Sequence, residues 1–272
     1  MNINASPTAD EAMRLAAFDI ADYVRNNPGA LLCLAAGKTP LPLFKHLIDM
    51  QNYKSGQDAG ARSSDETVKK PGARSSAETV NKSGAGLNLS DAYYVGLDEW
   101  VGVGRETEGS CAQVMFDNFY GPAGVPPERI CAWDGLCADT GAEMERVGSW
   151  ISARGGIGLA MLGIGVNGHV GFNEPHTDPS KKLALVKLDE ITKTVSKKYF
   201  LKYLPVAYGL TVGLAELYSS RRIMLVATGA GKADILRKVL SGNRDPAVPA
   251  SLLADHRDIA LYADDAALIN NL

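Results

Sequence analysis

The stretch LAMLGIGVNGHVGFNEP, residues 159–175, starts as an unbroken apolar run and ends as a turn built on glycine. An apolar run of this length with no polar alternation predicts a strand buried on both faces, at residues 159–164. Glycines 163, 165, 168 and 171 then allow close backbone approach and unusual dihedrals. His169 and Glu174 are the ionisable groups in this segment. A carboxylate beside an imidazole fixes its tautomer and raises its basicity. Gly163-x-Gly165-x-x-Gly168 resembles a dinucleotide fingerprint only loosely: the residues from His169 to Pro175 make a poor helix start, and no acidic residue closes a second strand about 20 residues on, so NAD binding is rejected.

Similar runs recur outward from this stretch. Strands are predicted at 30–35 (ALLCLA), 92–97 (AYYVGL), 222–228 (RIMLVAT) and 259–263 (IALYA). Helices are predicted between them. Thr8 and Glu11 form a capping box ahead of Met13, Ala17, Ile20 and Val24, which recur at helical spacing. Thr39 and Pro40 start a helix over 41–50, and further helices cover 110–119 and 140–153. Buried strands alternating with helices predict a single α/β domain over 1–272, a doubly wound, mostly parallel, Rossmann-like sheet with helices on both faces. Residues 54–86 break the pattern. GARSSDETV at 60–68 returns as GARSSAETV at 72–80, in a polar segment without the apolar residues of a core, which predicts a mobile insertion.

Composition narrows the function classes. In 272 residues, 46% are hydrophobic and 22% charged, as expected of a globular chain with a full core. A net charge of −3 argues against a general affinity for nucleic acid or anionic membranes. No apolar run reaches the roughly 18 residues of a bilayer span. The polar first eleven residues lack a signal-peptide core, so a cytoplasmic protein is expected. The four cysteines form no CxxC pair and the four histidines no HExxH spacing, so no metal is expected.

In open α/β sheets, ligands sit beyond the carboxyl ends of the strands. Four turns fall there: Gly37-Lys38-Thr39, Asp98-Glu99-Trp100, the turn from Gly165 to His169, and Gly229-Ala230-Gly231-Lys232. Together they can hold an anion at one end and perform acid–base chemistry at the other. Singly, each also fits a structural role: a strand–helix turn, a helix cap with a surface charge, a core histidine, a solvated lysine. Lys232 is poorly placed at the positive start of a helix unless an anion binds there.

LAAGKTP (34–40), LDEW (97–100), LGIGVNGHVGFNEP (162–175), GLTVG (209–213) and TGAGK (228–232) together resemble the glucosamine-6-phosphate deaminase and 6-phosphogluconolactonase superfamily. The Asn-Glu-Pro after Phe172 is similar to the hexosamine-phosphate deaminase branch and absent from lactonases. Trp100, Gly109-Ser110-Cys111 and Val248-Pro-Ala-Ser-Leu252 resemble the galactosamine-6-phosphate rather than the glucosamine-6-phosphate members. The resemblance thus implies deamination and isomerisation of galactosamine 6-phosphate to tagatose 6-phosphate, with the glucosamine reaction as the alternative and the lactonase reaction behind it. It implies Asp98 as the proton-transferring base, His169 as the ring-opening group, Glu174 as its supporting carboxylate and Asn167 as an uncharged orienting group. Gly37, Lys38 and Thr39 then cradle the phosphate with Lys232 and Lys198, the last standing where glucosamine enzymes carry an arginine. A small-molecule sugar phosphate is the implied partner, with no metal or organic cofactor, and a homo-oligomer is left open. Ala184 stands where allosteric members carry an effector-binding arginine, so allosteric activation is not expected. With the first helix starting near residue 8, the DNA-binding extension of sugar-phosphate-sensing regulators that carry a similar domain is not expected.

Overall fold

The computed structural model of the chain describes residues 1–55, 86–196, 200 and 204–269. The insertion expected over 54–86 therefore lies, apart from its ends, outside the described residues, and so does Lys198.

Seven strands form one parallel sheet: β1 (Asn2–Ser6), β2 (Leu31–Leu34), β3 (Tyr93–Gly96), β5 (Ile130–Cys131), β6 (Leu159–Gly163), β9 (Arg222–Ala227) and β10 (Ile259–Asp264). Their order is β1-β10-β9-β6-β2-β3-β5. Successive side chains of a strand point to opposite faces, so the unbroken burial of β2 and β10 means that both faces of the sheet are covered. From β2 the chain steps outward to β3 and β5, returns to β6 on the other side of β2, and then steps outward to β9 and β10. The reversal between β2 and β6 is the switch point at which such sheets open a ligand crevice.

Helix α1 (Ala9–Asn26) is capped by Thr8, whose hydroxyl accepts from the Glu11 amide at 3.2 Å. Its buried stripe of Ala12, Met13, Ala16, Ala17, Ile20, Ala21 and Val24 packs against β9, β10 and α2 (Leu41–Ser55). The helix α2 begins after Pro40 and extends past Met50 to Ser55, longer than its sequence pattern suggests. The helix expected over 110–119 is α3 (Cys111–Met115) running into a π turn, Phe116–Tyr120. Helices α4 (Thr140–Ser152), α5 (Glu190–Ser196), α6 (Leu214–Ser219), α7 (Ala233–Leu240) and α8 (Asp265–Leu268) complete the set. Among the described residues no helix is long and apolar enough to cross a membrane.

The sequence pattern does not show a second sheet. Strands β4 (Asp98–Trp100), β7 (Leu183–Lys187) and β8 (Tyr208–Val212) pair antiparallel in the order β4-β8-β7. A small apolar cluster of Trp100, Val103, Phe172, Leu188, Phe200 and Val206 lies beside it, with the Trp100 and Phe172 rings 4.4 Å apart between centroids. The chain passes from one sheet to the other at Leu97, whose carbonyl accepts from the Val212 amide at 2.8 Å. Glu99, the second carboxylate of the Asp98-Glu99-Trp100 turn, curls under the start of α3. Only 1% exposed, its carboxylate accepts from the amides of Trp100, Cys111 and Ala112 and from the Ser110 hydroxyl, at 2.7–3.0 Å. Glu99→Ala strands four donors, three of them buried, and each buried unsatisfied group costs about 1–3 kcal/mol. Urea unfolding should therefore show a loss of at least about 3 kcal/mol. A loss below about 1 kcal/mol would mean that water replaces the carboxylate without penalty.

Candidate active site

The four strand-end turns meet in one cleft of about 210 Å³. Gly37, Lys38, Thr39, Asp98, His169 and Lys232 all line it. Asn167 and Glu174 stand behind His169 and reach the cleft only through it.

His169 is set by the glycine-rich turn after β6. The Gly165 amide donates to the His169 carbonyl at 2.9 Å, and the ring folds back over Gly165 so closely that a Cβ there would lie 2.4 Å from ring atoms. Only glycine fits. His169 Nδ1 lies 3.2 Å from Glu174 Oε2 and 3.2 Å from the Thr192 hydroxyl. Facing a carboxylate, Nδ1 carries the proton, which leaves Nε2 as the basic nitrogen. The Asn167 amide donates to the same Glu174 oxygen at 3.0 Å, while its carbonyl oxygen accepts from the His169 backbone at 3.3 Å. Asn167 thus ties the carboxylate to the loop that carries the imidazole. Burial works to raise the Glu174 carboxyl, but His169, Thr192 and Asn167 outweigh it and hold the group below the usual range. Glu174 therefore stays charged and can stabilise an imidazolium.

Asp98 opens β4, in register with Thr211 of β8. Gly171 leaves room for it, since a Cβ there would come within 3.3 Å of Asp98 Oδ2 and 2.8 Å of the Thr211 hydroxyl. Burial pushes the Asp98 carboxyl up to about 7; the hydrogen bond from the Cys111 thiol and the charge of His169 oppose the rise, and Glu99 adds to it. A base that titrates near neutrality is both available and strong enough to take a carbon-bound proton.

Backbone amides and a lysine also line the cleft. Gly37 has φ 118°, a conformation that favours glycine, and its turn presents amides ahead of α2. Across the cleft, Lys232 Nζ donates to the Ile164 carbonyl at 2.6 Å, and burial lowers its pKa. At the start of α7 this cation faces the positive helix end, an arrangement that a bound phosphate relieves. Among the described residues no three His, Cys, Asp or Glu side chains cluster as a metal site would require.

Sequence reasoning assigns no role to Thr192 and Cys111, which both line the cleft. Thr192 comes from α5, a short helix with no motif to mark it, and only the fold brings it to His169. Cys111 is visible in the sequence within Gly109-Ser110-Cys111, but nothing in that tripeptide assigns it a role. Trp100 also lines the cleft, whereas Val248 and Ala250 lie beneath Gly168, where the Ala250 amide donates to the Gly168 carbonyl at 2.9 Å.

This geometry has two measurable consequences. Gly165→Ala must displace the His169 ring, and a misplaced catalytic group costs about 100-fold in turnover; unchanged turnover in a variant with a native circular-dichroism spectrum would show that the ring need not lie there. For Asp98, the folded pKa is raised above the unfolded one, so its contribution to stability is full below about pH 4 and is lost as pH rises through about 7. Asp98→Asn should therefore melt above wild type at about pH 8 and lose that advantage at about pH 4. A variant that melts below wild type at the higher pH would contradict a raised Asp98 pKa in the folded state.

The family described as glucosamine-6-phosphate isomerases/6-phosphogluconolactonase matches residues 78–261. The glucosamine-6-phosphate deaminase of Clostridium acetobutylicum is 32% identical over 259 residues, covering 95% of either chain. That of Alkaliphilus oremlandii is 30% identical over 268 residues, covering 98% of either chain. Among solved structures, a monomeric glucosamine-6-phosphate deaminase superposes with a TM-score of 0.83 at 29% identity, over 98% of both chains. The 6-phosphogluconolactonase of Trypanosoma brucei shares the fold, with a TM-score of 0.68 at 15% identity, over 100% of this chain and 98% of that one. With a family match over more than half its length and relatives at 30% identity or above across nearly the whole chain, this protein belongs to the glucosamine-6-phosphate isomerase/6-phosphogluconolactonase family.

Proposed function

We propose that this protein is a hexosamine-6-phosphate deaminase that converts glucosamine 6-phosphate and water to fructose 6-phosphate and ammonia. One observation carries the reading: a carboxyl that titrates near neutrality, Asp98, shares a cleft with an imidazole backed by a charged carboxylate. The phosphate sits at the Gly37–Thr39 turn and Lys232, which leaves the sugar ring between Asp98 and His169. Lys198, not among the described residues, is proposed as a further phosphate contact. His169 moves a proton from the C1 hydroxyl to the ring oxygen and opens the pyranose. Asp98 then takes the C2 proton and returns it at C1, through an enolamine. The resulting C2 imine adds water and releases ammonia, leaving the ketose. Each acid–base step contributes about 10²–10⁴-fold. The remote phosphate supplies binding energy that orients the ring. The reaction as written draws only on the chain's own side chains and water, with the chain acting as one domain.

The choice of glucosamine departs from the galactosamine expectation. The curated relatives, aligned over nearly the whole chain, are glucosamine-6-phosphate deaminases, and they outweigh three short likenesses. Galactosamine 6-phosphate stands as the second reading because two of those likenesses, Trp100 and Cys111, line the cleft itself. The lactonase reading rests on fold similarity at 15% identity in the Trypanosoma structure.

A coupled ammonia-release assay on both sugar phosphates separates these. Glucosamine 6-phosphate should show the higher kcat/KM by about tenfold or more, the ratio that one misplaced hydroxyl contact produces. The reverse ratio selects the galactosamine reading. Absence of ammonia from both, with hydrolysis of 6-phosphogluconolactone, overturns the deaminase proposal. Because Asp98 must be ionised to act, kcat/KM should fall about tenfold per pH unit below about pH 7, and a flat profile from about pH 5 to about pH 7 would remove it as the base.

A further inference from the structure

The imidazole of His169 has a second partner with no part in moving protons. Nδ1 lies 3.2 Å from Glu174 Oε2 and also 3.2 Å from the Thr192 hydroxyl. The two partners reach it from different elements. Glu174 stands five positions on in the same loop, whereas Thr192 belongs to α5, 23 positions away. Both are nearly sealed from water, Thr192 at 3% and Glu174 at 4% exposed. The turn of helix that carries Thr192 is held on both sides of it. Asp189 accepts the Ile191 amide through its side chain at 2.8 Å and the Lys193 amide through its carbonyl at 2.9 Å.

We propose that Thr192 is a positioning residue for His169: its hydroxyl shares the Nδ1 proton with Glu174, and the two acceptors together hold the plane of the ring and with it the direction of Nε2. The proposal rests on the deaminase reading for its kinetic consequence alone. A carboxylate facing Nδ1 draws the ring proton to that nitrogen, so the hydroxyl takes part as a second acceptor. One acceptor leaves the ring free to pivot about a single bond. A second acceptor, fixed to another element, removes that freedom and keeps the alignment that proton transfer needs. Thr192 also couples the ring to α5, whose Ile191 and Val195 line the same cleft.

The experiment compares Thr192→Val, which keeps the shape and removes the hydroxyl, with Thr192→Ser, which keeps the hydroxyl, in the full-length protein. In the ligand-free protein, nitrogen-15 NMR of labelled histidine follows exchange of the His169 Nδ1 proton with water, assigned with His169→Gln. Exchange requires the proton to leave both acceptors. It should quicken about fivefold in Thr192→Val, the worth of one hydrogen bond, and stay within about twofold of wild type in Thr192→Ser. In steady-state kinetics on the hexosamine 6-phosphate that is turned over, Thr192→Val should lower kcat about five- to tenfold with KM within about twofold, and serine should restore kcat. Unchanged exchange in Thr192→Val overturns the proposal, as do equal losses in both variants. A raised KM at unchanged kcat also overturns it, because Thr192 would then bind substrate rather than hold the ring. If the valine variant does not fold, Thr192→Ala takes its place. If the wild type deaminates neither sugar phosphate, the functional reading falls and the exchange measurement still judges Thr192.

Discussion

Between Gly96 and Asp98 the chain changes sheets, and the carbonyl of Leu97 carries the change by accepting the Val212 amide. Up to Gly96 the strand is one of seven strands of the parallel sheet; from Asp98 it is an edge of a three-stranded antiparallel sheet. A parallel strand that simply ended at Leu97 would hand Asp98 to a solvent-exposed loop. Here the residue stays in a ladder, opposite Thr211, and is withdrawn from water while remaining open to the cleft. The desolvation that makes Asp98 a base near neutrality is thus a consequence of topology. The loop after β6 is tied to the same junction, because Asn173 donates to the Val212 carbonyl at 2.9 Å and Thr211 accepts from the Phe172 amide at 3.2 Å.

Three carboxylates within this small region illustrate how environment divides one chemistry into separate roles. Asp98 is desolvated and titrates high. Glu174 is also buried but meets an imidazole, a hydroxyl and an amide, and titrates low. Glu99 has four donors and serves as a cap. Groups whose environments push their pKa values apart can act as base and as charged support in the same site. The cleft lysine follows the same logic: Lys232 is desolvated and leans on the Ile164 carbonyl, and burial lowers its pKa.

Much of this is legible as pattern. Five of the seven parallel strands read as apolar runs because both their faces are buried, and the capping of α1 reads from Thr8 and Glu11 because a cap is a contact between residues three apart. Of the other two, β1 escapes because Asn2, Asn4 and Ser6 make a polar edge strand, and β5 because two residues are too few to show a period. The small sheet escapes for a related reason: β7 alternates exposed and buried residues over only five positions, and β4 spans three.

At the site, the order of motifs and the chemistry of their residues are set locally, so Asp98, His169, Glu174, Asn167, the Gly37–Thr39 turn and Lys232 can all be named from their strand-end positions and family likeness before any fold is known. What folding adds is contact between residues distant along the chain. Thr192 reaches His169 across 23 positions, Ala112 reaches Glu99 across 13, and Val212 reaches Leu97 from the neighbouring strand β8. No spacing rule encodes such meetings, because they are fixed by which strands pair and where each helix packs. The preference between two sugars differing in the direction of one hydroxyl belongs to the same class: it depends on the walls that tertiary packing places around the ring.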